Sequence, residues 1–156
     1  MIPRQRRGVV WRCFFSGTWH DAPVKCADPE VLEGRWRQYA AGRQWDACLE
    51  IATALTRMVP ERRVGWMRRA ISLNRLRRTT EAKEVLLEAV GTLGFDSVCA
   101  FHLACFCARL GQMEEAADWV RKAVELAQDQ ETFDRLRRWV LDEPDLQPVW
   151  EAVGGR

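Results

Sequence analysis

One stretch of the 156-residue chain gathers side chains that could do chemistry. Cys99, His102, Cys105 and Cys107 lie together, the first three at steps of three residues. On a helix each such step rotates by about −60°, so those three share one face. Thiolate and imidazole are zinc ligands, but a structural zinc takes four donors in a tetrahedron, usually from two chain segments. One helix rarely encloses an ion. The four are therefore read as small core residues and a neighbour, and neither a metal nor another cofactor is expected. Catalysis has no better footing. The two histidines are His20 and His102, no glycine-rich phosphate loop is present, and the carboxylates are scattered. No catalytic residue is predicted, and the chain reads as a non-enzyme.

Charge offers a second chemistry. The formal net charge is only +2, yet residues 57–78 hold eight arginines against Glu61. Residues 113–151 hold eleven carboxylates against five basic residues, so the molecule is electrically polarised. An anionic partner is one reading of the arginines, and a solvated face is the other. Nucleic acid is not expected. Trp66 is the only aromatic residue interleaved for base stacking, and the core needs it.

Helices must position all of these groups, and the sequence marks them. Trp66, Ala70, Leu73, Ala82, Leu86 and Ala89 recur 34 residues later as Ala100, Ala104, Cys107, Ala116, Val120 and Ala123. A fainter copy, Ala47, Ile51 and Ala54, stands 35 residues before Ala82, Leu86 and Ala89. Such a period means stacked helical hairpins, because one helix pair cannot bury its apolar faces alone. Alanine recurs where two helices cross too closely for a larger side chain. Apolar spacing and caps predict helices near 29–41, 44–58, 62–76, 80–93, 97–110 and 113–127. Gly42 and Gly111 are expected to take positive φ in the hairpin turns, while Arg77 in the middle turn either adds a little strain or changes the turn. A seventh helix near 131–141 and a short last one after Pro148 should cap the stack, with Trp150 packing back on the third hairpin.

These residues resemble the tetratricopeptide repeat family, most closely through Phe101, Leu103, Ala104, Cys107, Leu110, Gly111, Glu115, Ala116, Trp119 and Ala123. Residues 65–69, 103–107 and 142–150 also look like segments of a group of small bacterial members. The resemblance implies an all-α, right-handed superhelical stack of about three hairpins (28–62, 63–96 and 97–130) with a cap at 131–152. It further implies a concave groove lined by the first helix of each hairpin, and a protein or peptide partner. The expected groove residues are Val64, Met67, Arg68, Ile71, Asn74, Arg75, Val98, Phe101, Cys105 and Arg109. The family's carboxylate-gripping set of Lys, Asn and Arg is missing, since the matching inner positions are apolar. An adaptor is therefore the leading expectation. A small chaperone shielding an apolar client is the alternative.

Residues 1–27 differ from the rest. Arg4, Arg6 and Arg7 precede Val9, Val10, Trp11, Phe14 and Phe15, but the apolar run is too short for a signal sequence or a membrane span. This leader is read as a poorly ordered extension, an early start of translation, or a segment folded back into the groove. Six cysteines without framework spacing suit free thiols in a reducing compartment, hence a cytoplasmic protein.

Overall fold

The computed structural model describes residues 28–154, and the leader therefore lies outside the described residues. Eight α-helices follow in order among the described residues, with no strand: α1 Pro29–Ala41, α2 Trp45–Met58, α3 Arg63–Arg75 and α4 Thr79–Leu93. After these come α5 Ser97–Arg109, α6 Met113–Glu125, α7 Gln130–Asp142 and α8 Gln147–Ala152, with a 3-10 turn at Pro144–Leu146 before α8. Each helix packs on its sequence neighbour, and α7, the 3-10 turn and α8 return to α5 and α6. This is a stack of helical hairpins closed at its C-terminal end.

Local chemistry sets the helix ends. Asp28 accepts the Glu30 N–H at 2.8 Å and Pro29 opens α1, where its missing N–H costs nothing. Asp96 and Asp129 cap α5 and α7, each accepting a backbone N–H at 2.6 Å. Thr79, a residue type that often caps helices, lies inside α4 and does not cap it. It is the first residue of α4, and its hydroxyl donates to Asn74 Oδ1 at 3.0 Å.

The three hairpin turns are alike. Gln44, Arg78 and Gln112 donate their N–H to the carbonyls of Tyr39, Leu73 and Cys107, each at 2.9 Å. The preceding residues, Arg43, Arg77 and Gly111, donate to Ala40, Asn74 and Ala108. This double closure is a Schellman turn, which needs one left-handed residue. Arg43 (φ 55°), Arg77 (φ 65°) and Gly111 (φ 74°) supply it. Of the two outcomes expected at Arg77 the structure has strain, with the turn itself unchanged. Gly42 is not the left-handed residue, because its φ is −81° and Arg43 takes the role instead.

That shift corrects the register of the first hairpin. Turn residues 43, 77 and 111 are spaced by 34, so the partners of Ala82, Leu86 and Ala89 are Cys48, Ala52 and Leu55. All three are fully buried, whereas Ala47 and Ala54 are only half-buried. The fainter copy at a 35-residue shift was one residue off, because a thiol occupies the small position. Cys48 fits there as a small residue, its Sγ 3.7 Å from the Trp36 carbonyl oxygen.

The core has two parts. Leu32, Ile51 and Leu55 form a small cluster between α1 and α2, with Trp36, Tyr39 and Val59 against it. The larger cluster runs from Trp66 to Trp150 and includes Phe106, Leu103, Leu136 and Leu146. Each such leucine contributes roughly 2 kcal/mol by burial. Ala70, Ala82, Ala104 and Ala116 are fully buried, as the repeat requires. Gly65 serves the same end on α3, where a Cβ would stand 3.2 Å from Leu55 Cβ and from the Thr56 nitrogen. The buried Ser72 hydroxyl is satisfied on both sides: Trp36 Nε1 donates to Ser72 Oγ at 3.2 Å, and Ser72 donates to the Arg68 carbonyl at 2.7 Å. Trp150 packs into the main core on the side of α6.

Candidate functional site

The groove residues separate into three groups. Val64, Met67, Ile71 and Val98 are half-buried on the first helices of the second and third hairpins. Met67 Sδ lies 3.6 Å from Cys99 Sγ, which joins α3 to α5. Phe101 and Cys105 are different, at 6% and 5% exposure. The Trp139 ring of α7 covers Phe101 at 5.4 Å, and the 3-10 turn packs on α5. The six apolar positions therefore do not form one exposed patch. On the third hairpin the expected groove face is covered by the capping segment, since α7 and the 3-10 turn pack on α5.

Arg68 is likewise committed to the fold. Its guanidinium pairs with Glu33 at 3.2 Å and lies 5.2 Å from the Trp36 ring centre. Arg63 pairs with Asp96 at 2.5 Å and donates to the Leu93 carbonyl at 3.0 Å. Arg78 meets both Glu81 oxygens at 2.6 Å. Three of the eight arginines in residues 57–78 are thus held in intramolecular ion pairs.

Burial governs the cysteine–histidine face. Burial pushes the Cys99 and Cys107 thiols up to about 11 and Cys105 up to about 12, so all three stay protonated. Burial also lowers His102 to about 4, keeping the imidazole neutral between the rings of Phe101 and Phe106. Among the described residues no group of three or more His, Cys, Asp or Glu side chains is placed to hold a metal ion.

Asn74, Arg75 and Arg109 lead elsewhere. They line a polar cleft of about 1020 Å³ along the turn edge of the stack, with Arg43, Trp45, Arg77, Thr79, Leu110 and Asp145. The repeat explains the grouping. Arg75 and Arg109 are equivalent last residues of α3 and α5, and Arg43 and Arg77 are equivalent turn residues. Four arginines thus face a single lining carboxylate, Asp145. Arg109 is occupied, with Nη2 3.2 Å from Glu143 and Nε 3.1 Å from Asp145. Arg75 instead lies 5.7 Å from the Trp45 ring centre. Sequence reasoning missed Arg43, Trp45, Arg77 and Asp145 as site residues. The 34-residue register was the signal that would have found the arginines.

The fold defines a class of protein, an all-α stack of helical hairpins. Residues 99–130, spanning most of α5, all of α6 and the entry to α7, match the family model of the tetratricopeptide repeat. That stretch matches one such repeat, and the all-α hairpin stack around it agrees with the match. Repeats of this kind are protein–protein interaction modules. A search of curated proteins gives no match. No described helix is long and apolar enough to cross a membrane.

Proposed function

We propose that this chain is a non-catalytic adaptor or scaffold that holds a segment of a partner protein. The tetratricopeptide match at residues 99–130 carries the reading. The unit comprises residues 28–152, with the leader outside it. Binding uses the half-buried face of Val64, Met67, Ile71 and Val98 together with the basic turn edge at Asn74 and Arg75, where Arg109 is held in place by Glu143 and Asp145. Phe101 and Cys105 support that surface from beneath. The chaperone alternative loses ground because Trp139 covers Phe101, which leaves no long apolar strip to shield a client. Buried protonated thiols suit a reducing compartment, and we place the protein in the cytoplasm on that ground.

The experiment is a peptide-display selection on the immobilised full chain. An adaptor enriches related sequences, and free synthetic peptides of those sequences bind saturably. Failure of every enriched sequence to bind as a free peptide sinks the reading.

A further inference from the structure

The turn edge holds two copies of one arrangement, and only one copy is filled. In the third hairpin, the last residue of the first helix is Arg109, and the chain's own Glu143 and Asp145 seat on its guanidinium at 3.2 and 3.1 Å. Those carboxylates stand two residues apart, Glu143 at the cap and Asp145 within the 3-10 turn at Pro144–Leu146. In the second hairpin the equivalent residue is Arg75. Among the described residues no carboxylate pairs with it, nor with Arg43 or Arg77.

A simple structural reading explains part of this. A cation in the last turn of a helix complements the negative end of the helix dipole, which accounts for Arg75 and Arg109. It does not account for Arg43 and Arg77. Each sits in a left-handed conformation that disfavours any side chain, at a position where Gly111 shows that glycine fits. Strained residues gathered on one cleft point towards use.

We infer that the cleft takes an acidic peptide segment of a partner protein. Carboxylates two residues apart seat on Arg75, flanked by Arg43 and Arg77, as Glu143 and Asp145 seat on Arg109. This rests on the interaction reading above and names the chemistry of the partner. The leader is the wrong occupant, because Arg4, Arg6, Arg7, Arg12 and Lys25 outweigh Asp21 there. A nucleic acid suits the cleft less well. Asp145 and the carbonyl ends of α1, α3 and α5 oppose a continuous line of phosphates, and the arginine beside Trp45 restricts stacking. Two discrete carboxylates avoid both obstacles. Bidentate guanidinium geometry suits them.

The test uses the full chain and a fluorescein-labelled octapeptide, Leu-Asp-Glu-Pro-Asp-Leu-Gln-Pro, copying residues 141–148. Fluorescence anisotropy should show saturable binding that weakens about tenfold when the peptide's acids become Asn and Gln. Arg75→Ala should weaken binding about fivefold, and so should the Arg43→Gly/Arg77→Gly pair. The glycine pair should not lower the melting temperature, so its loss of binding cannot be blamed on unfolding. Arg57→Ala, which removes an equal charge outside the cleft, should leave affinity within about twofold. The inference is overturned if the neutral peptide binds equally, if the cleft variants bind at wild-type strength, or if single-stranded RNA of the same length binds more tightly. Absence of peptide binding also overturns it. The interaction reading can fail separately: display-selected peptides that bind but ignore these arginines keep that reading and sink this inference.

Discussion

Exchanging residues at the left-handed turn positions measures what the three hairpin turns contribute. At Gly111 (φ 74°) a Cβ would meet no atom within 4 Å, so Gly111→Ala has no steric cost beyond its own backbone. A left-handed L-residue costs about 1–2 kcal/mol, and replacing glycine returns about 0.4–1 kcal/mol through the unfolded chain. The net loss should be about 0.5–1 kcal/mol. Arg43→Gly and Arg77→Gly run the same cycle backwards. Both side chains are exposed and form no ion pair among the described residues, so no contact is sacrificed. Each should gain about 0.5–1 kcal/mol, and being in separate turns the two should add to about 1–2 kcal/mol. The melting temperature then rises by about 2–8 °C. Urea unfolding followed by circular dichroism at 222 nm reads the change, with an unaltered slope marking a pure stability effect. A double variant no more stable than wild type, or a neutral Gly111→Ala, would refute the assignment of strain to these turns.

Three further outcomes are expected. Ala104→Leu should lose about 1–3 kcal/mol because its site is fully enclosed, while Ala108→Leu, on the cleft lining, should lose less; equal melting temperatures would break the register. Gly65→Val should lose about 1–3 kcal/mol, since even a Cβ there presses on Leu55 and the Thr56 backbone at 3.2 Å; an unchanged unfolding midpoint would mean the crossing is looser than described. His102, lowered by burial from 6.5 to about 4, gives a pH dependence. Between those values the unfolded chain binds a proton that the folded chain refuses, so stability falls on acidification. The loss is at most about 3 kcal/mol, reduced by the ring's residual solvent contact. His102→Leu should flatten the profile between pH 7 and 4, and an equally steep profile in that variant would exclude His102 as the cause.

The sequence by itself determined the hairpins, because their signal is local and repeated. Apolar spacing, the Asp28 and Asp96 caps, and the alanines at close crossings each act within one helix pair, and 34 residues later the same demand returns. It also supplied the small, enclosed character of Cys99, Cys105 and Cys107. The register of the first hairpin needed the structure, since Cys48 does the work of an alanine and Arg43 that of a glycine. Neither substitution follows the repeat's residue types, and the turn hydrogen bonds alone reveal them. The site depended on tertiary structure for a different reason. Phe101 and Cys105 look like groove positions until α7 and the 3-10 turn close on α5, with Trp139 over Phe101. Arg68 looks free until α1 brings Glu33 and Trp36 to it. Arg43, Arg75, Arg77 and Arg109 are spread across 67 residues of sequence. Stacking the hairpins sets equivalent turns side by side, and that proximity makes one cleft of four separate arginines.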